Sequence, residues 1–297
     1  MIPWTEQFFT HCRVERGLSE HTIRQYTEQL ERFRVWLGKP LPEATGRDVR
    51  KYLARDVRAK KKPTSTAKTL SALRQFYGFL VADGGIRVNP TRHIRHPRIW
   101  RRVPEVLTPE DIQKLVGFSQ ILRDPSNLRD RAVVLTFYSS GLRCSELRAL
   151  NLADVDLDAG LVKVWKGKGG KDAIAPLSLD AITAIREYLR DGRPKFNPVP
   201  GCNTLFIGRF GRGITRQEIY YRIRDLGRDV LQRDIWPHML RHSFATNLVQ
   251  SGMDVRDVQH LGRWVSPDTA RIYIHNDLTH LKEVMHDAHP RSGRKAG

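Results

Sequence analysis

The chain has 297 residues, room for two ordinary domains, and its 40% hydrophobic content supports a buried core in each, which excludes an intrinsically disordered chain. Lys and Arg total 51 against 32 Asp and Glu, a formal charge of +19, so a polyanionic partner is the simplest reading and a merely solubilising basic surface the alternative. Cys12, Cys144 and Cys202 form no CxxC pair, and neither an export leader nor a run of about 18 apolar residues is present, which argues against disulfides, zinc and a membrane partner and leads one to expect a cytoplasmic protein.

From Ser19 to Leu37 the apolar positions Ile23, Tyr26, Leu30, Phe33 and Leu37 step by three or four, which predicts an amphipathic helix capped by Ser19. A shorter helix is expected from Asp48 to Val57. The basic stretch AKKKPTST after it reads as a loop that Pro63 keeps out of helix. Leu70, Leu73, Phe76, Tyr77 and Leu80 form the next stripe, ended by Gly84-Gly85 and Asn89-Pro90. Residues 1–92 thus read as a helical module. Arg92 to Pro104 holds five arginines, two histidines and two prolines with no acidic residue, and 93–105 reads as a basic linker. The second domain, 106–297, opens on a helix at Thr108-Pro109-Glu110-Asp111, where a capping hydroxyl precedes proline and two acids face the positive end of the helix dipole. Gly160 to Trp165 and Ala173 to Leu177, joined by KGKGGKD, predict a β-hairpin inside an otherwise helical domain. The expected fold class is therefore mainly α with a small β element (α+β).

Three segments carry candidate chemistry. In SSGLRCSELRAL, Ser139, Ser140 and Gly141 break an apolar helix and Arg143 opens the next, where its guanidinium, free backbone N–H groups and the dipole suit a phosphate oxygen. Glu146, three residues on, is placed to hold that guanidinium. Read alone, Arg143 is first of all an ordinary surface arginine, and the phosphate reading is the lesser one. In PHMLRHSFATNL, His238 and Arg241 share one helix face with His242 nearby, able to protonate and clamp a phosphate, whereas Leu240, Phe244 and Leu248 line the other; a solvated helix is the competing reading. In LGRWVSPDTARIYIH, Ser266-Pro267-Asp268 starts a helix that ends around Tyr273, and a lone tyrosine there is ordinarily packing.

Together these segments resemble the tyrosine recombinase, or phage-integrase, superfamily, most closely its Xer-type members. The motif GLRxSE stands here as Gly141 to Glu146, HxLRHSFAT as His238 to Thr246, the nucleophile segment as Ile272-Tyr273-Ile274-His275, and the hairpin lysine of GKGxK falls on Lys168. Trp264 stands nine residues before Tyr273, where many members carry histidine, and an extra residue, Arg263, follows the usual Leu-Gly. The likeness is strongest over residues 106 to 276. It extends more loosely to the N-terminal module, which looks like the family's SAM-like core-binding domain.

The resemblance implies a site-specific DNA recombinase that cuts with Tyr273 and holds a 3′-phosphotyrosyl link. Arg143 and Arg241 would clamp the phosphate, His238 assist proton transfer, Trp264 pack beside the phosphate and Lys168 protonate the leaving 5′ oxygen, with no cofactor, ATP or metal. DNA-binding candidates are Lys60, Lys61, Lys62, Arg95, Arg98, Arg101, Arg102, Lys171 and His242. It also implies a homo-tetramer on double-stranded DNA, or a hetero-tetramer with a paralogue, controlled by docking of Leu278 to His289 on a neighbour. A type IB topoisomerase-like enzyme and a non-cutting DNA-binding regulator are the alternatives; the intact set Arg143, Lys168, His238, Arg241 and Tyr273 argues against the regulator.

Overall fold

In the computed structural model, residues 3–98, 105–121, 124–165 and 172–263 are described. The chain divides into two units, Met1–Arg102 and Val103–Gly297. Among the described residues the first unit contains four α-helices, α1 (Trp4–Val14), α2 (Glu20–Leu37), α3 (Gly46–Arg58) and α4 (Pro63–Ala82). The sequence reading had placed no helix at α1. Its cap lacks a side-chain hydrogen bond, but Phe8 and Cys12, one turn apart, are fully buried, and the Phe8 ring meets Phe76 edge-on at 5.4 Å between centroids.

Helix α2 follows its stripe: Ile23, Leu30 and Phe33 are buried, Ser19 Oγ accepts from Thr22 N at 3.3 Å, and Gly38 closes the helix in the left-handed region. Helix α3 starts earlier than expected because Thr45 and Asp48 cap it reciprocally; the Asp48 carboxylate takes the Thr45 N–H at 2.9 Å. Pro63 does not exclude helix. It occupies the first helical position of α4, where its missing N–H would be unpaired anyway, so the basic loop shrinks to the few residues before it. Thr91 and Ile94 are buried, and the Arg74 guanidinium donates to the Ile94 carbonyl, so the chain stays fastened to the first unit through Ile94.

The second unit is built around α6 (Pro125–Ser140), which packs against α5 (Pro109–Ile121), α8 (Leu179–Glu187) and α10 (Pro237–Gln250). Buried on every side, α6 has no polar face; even Arg129 and Asp130 are inside, paired at 3.0 Å, with Arg222 reaching Asp130 at 2.6 Å. Thr108 and Asp111 cap α5 as expected. After the six-residue helix α7 (Cys144–Ala149) comes a sheet of three antiparallel strands, β1 (Val155–Asp156), β2 (Leu161–Val164) and β3 (Ala173–Pro176). The hairpin expected from sequence is β2 and β3, with Val162 opposite Ala175 on the buried face; β1, two residues long, had no alternation to reveal it. Helices α9 (Arg216–Leu231) and α11 (Val255–Gly262) are the other α-helices of this unit among the described residues. Among the described residues, no helix is long and apolar enough to cross a membrane.

Candidate active site

Three elements of the second unit meet at one corner: the α6–α7 turn, the first turns of α10, and the C-terminal end of α11. The turn depends on Gly141. Its φ of 56° lies in the left-handed region, and an added Cβ would stand 2.6 Å from the Phe244 ring of α10. Ser139 and Ser140 remain helical, so the glycine alone ends α6.

Arg143 takes the N-cap position of α7. Glu146 Oε2 accepts the Arg143 backbone N–H at 2.8 Å, and Glu146 Oε1 accepts Arg143 Nη1 at 2.5 Å. The carboxylate therefore holds the guanidinium as the spacing implied, yet it also occupies the amide that the sequence reading had offered to a phosphate. Burial would push the Glu146 carboxyl up. The amide and guanidinium of Arg143 and the charge of Arg263 outweigh it and hold the group below the usual carboxylate range. Glu146 is thus an anion at neutral pH.

Arg241 is buried, 9% exposed, as are Ser243 and Thr246, which rules out the solvated-helix reading of α10. A buried guanidinium needs acceptors. Arg241 Nη1 donates to the Gly141 carbonyl and Nη2 to the Gly262 carbonyl at the end of α11. Arg143 Nη2 donates to the very next carbonyl, that of Arg263, at 3.1 Å. Two guanidiniums far apart in sequence are therefore seated on consecutive carbonyls immediately before Trp264. His238, one turn before Arg241, is exposed, and partial burial of its ring lowers its pKa. His242 is pushed down to about 4 by burial, with smaller contributions from His238 and Arg241. Its ring lies edge-on to His238 with centroids 6.2 Å apart. Both imidazoles are neutral near pH 7, so any contact His242 makes to DNA is a hydrogen bond and not a charge pair.

Arg263 was noted in the sequence only as an extra residue, yet it enters this corner. Its Nη2 lies 3.2 Å from Glu146 Oε2, so one carboxylate is shared by two arginines. Nothing local foretold this, because the partner is more than a hundred residues away. Of the other site candidates, Lys168, Lys171, Trp264, Tyr273, Arg101 and Arg102 lie outside the described residues, as does the segment from Leu278 to His289. Lys60, Lys62, Arg95 and Arg98 are exposed on the first unit, whereas the Lys61 ammonium is held 2.6 Å from the buried Asp56 carboxylate.

Residues 105–280 match the phage integrase family and residues 5–84 the phage integrase N-terminal SAM-like domain. Tyrosine recombinase XerC of Xylella fastidiosa (strain M23) is 40% identical, the alignment covering 98% of each chain. Tyrosine recombinase XerC of Xanthomonas axonopodis pv. citri is 37% identical over 98% of this chain and 97% of its own. Among solved structures, the XerH site-specific recombinase bound to palindromic difH substrate shares the fold, with a TM-score of 0.74 at 22% identity over 94% of this chain and 83% of that one. The chain belongs to the phage integrase family and is a tyrosine site-specific recombinase.

Proposed function

We propose that this recombinase acts in the cytoplasm on a specific double-stranded DNA site, cutting each strand with Tyr273 and holding it as a 3′-phosphotyrosyl link until it is rejoined. The observation that carries the reading is the seating of Arg143 and Arg241 on the consecutive carbonyls of Gly262 and Arg263. This fixes two guanidiniums next to the start of the segment that holds Trp264 and Tyr273. Guanidiniums so fixed stabilise the charge that grows on phosphorus as the phenol attacks, without reorganising at that moment. Exposed and neutral, His238 can take the phenol proton. Lys168 supplies the proton for the departing 5′ oxygen, and Trp264 packs beside the phosphate. The new ester is close in energy to the one broken, so rejoining needs no ATP.

The test is capture on a nicked suicide duplex, in which the cut end diffuses away. A denaturant-stable protein–DNA adduct at one strand position is expected. Its absence on every target tried, from genomic libraries to junction DNA, would sink the reading, and relaxation of supercoils without exchange between two duplexes would turn it towards a topoisomerase.

The working unit in this reading is a tetramer on two DNA sites, made of this chain alone or with a paralogue. Support comes from an apolar groove of about 500 Å³ lined by Pro109, Tyr138, Leu177, Phe244, Leu248 and Leu261. Its occupant is the segment Leu278 to His289 of a neighbouring copy, in which Leu278, Leu281 and Met285 step by three and four, the spacing of one helical stripe. Passed from copy to copy, such contacts close into a ring. Truncation after Asp277 is expected to leave single-site DNA binding within about threefold and to abolish assembly of two sites, scored by native gel or analytical ultracentrifugation. Paired-site assembly by the truncated chain would remove the groove from the argument.

A further inference from the structure

Three guanidiniums and one carboxylate share the corner, and the third guanidinium has no role in the mechanism so far. Arg263 sits at φ 55°, in the left-handed region, as the C-cap of α11. Its side chain folds back into the corner and is only 12% exposed. Nη2 reaches Glu146 Oε2 at 3.2 Å and the Gly141 carbonyl at 3.4 Å; Nη1 reaches the Leu261 carbonyl at 3.2 Å and the Ser140 carbonyl at 3.4 Å. Its Nε–H is buried without an acceptor among the described residues. Burying a guanidinium with a donor unmet costs stability, so this placement is poorly explained as a stabilising device. What it does provide is charge and connection. Glu146 taken with Arg143 alone is a neutral pair, which leaves Arg241 as the uncompensated guanidinium of the corner among the described residues. With Arg263 on the second carboxylate oxygen, two net positive charges face a phosphate that gains a second negative charge as it becomes pentavalent.

We infer that Arg263 is a positioning residue for strand cleavage, acting through Glu146: it holds the second oxygen of that carboxylate, so that Arg143 stays oriented without having its charge cancelled, and it ties the end of α11 to the turn at Gly141. This rests on the recombinase reading above. Arg263 touches neither DNA nor the reacting atoms in this role. Its backbone carbonyl, which accepts from Arg143, serves whatever side chain the position bears.

The decisive substitution is Arg263→Gly, because glycine adopts the left-handed conformation freely and keeps that carbonyl in place. Single-turnover adduct formation on the nicked duplex is expected to slow by roughly 10- to 100-fold, the range for loss of a group that orients a functional side chain. DNA affinity should stay within about threefold, since phosphate contacts elsewhere dominate it. In a Glu146→Gln background the same change should slow the step by less than about threefold, because coupled residues are non-additive. Arg263→Lys, which restores the charge without the fork, should recover part of the rate. Thermal melting identifies any variant that fails to fold, and the Glu146→Gln cycle is then read from Arg263→Lys. Equal rates for wild type and Arg263→Gly, or full multiplicative effects in the Glu146→Gln background, would overturn the inference while leaving the recombinase reading intact. No adduct from the wild-type chain would instead sink that reading first.

Discussion

Tyr273→Phe is expected to abolish covalent capture of a nicked duplex altogether while changing DNA affinity by no more than about threefold, because one oxygen is lost and the aromatic ring is kept. A neutral phenol, with an unperturbed pKa near 10, is a weak nucleophile, so its reactivity has to be supplied by its surroundings. The corner built by Arg143, Arg241, Glu146 and Arg263 is suited to supply it through the phosphate, by stabilising the charge that the attack creates. Tyr273 follows Arg263 by roughly ten residues, which extended chain could carry about 35 Å and a helix about 15 Å. Adduct formation at the wild-type rate by the phenylalanine variant would assign the nucleophile to a different residue and separate the arginine corner from the cutting chemistry.

How far this was legible in the sequence depended on whether the decisive partner was near in the chain. Helix α2 was readable because its apolar residues repeat at helical spacing with a capping serine before them; both signals lie within a few residues. Glu146 as the holder of Arg143 was readable for the same reason, one turn apart on one short helix. The Pro63 loop was misread because proline breaks a helix interior but suits its first turn, and sequence alone did not say which applied. The depth of α10 was hidden. Arg241 and His242 gave it an apparently solvated face, but carbonyl acceptors from Gly141 and Gly262 allow the guanidinium to be buried, and both come from distant stretches. Arg263 was the least legible of all, since its meaning lies wholly in contacts with the α6–α7 turn.

Arg241→Lys is the second large effect, and it separates charge from geometry. Lysine keeps one positive charge but offers a single compact ammonium in place of a planar fork. Arg241 satisfies carbonyls on two different elements, Gly141 after α6 and Gly262 in the last turn of α11, and an ammonium on a flexible stem is poorly placed to hold both. The Gly141 carbonyl keeps Arg263 Nη2 at 3.4 Å, so the cost of about 1–3 kcal/mol arises where the ammonium fails to reach the Gly262 carbonyl. In the role proposed for Arg241 the phosphate would lose a donor as well, a change that typically slows the chemical step by roughly 10²- to 10³-fold. Adduct formation should therefore fall by about that factor, with DNA affinity within a few-fold, because many phosphate contacts share the binding energy. Melting temperature should drop as well. A lysine variant that cleaves within about threefold of wild type would mean that charge alone suffices at this position and that the fork geometry of Arg241, however well its carbonyl partners are arranged, is not what accelerates cleavage.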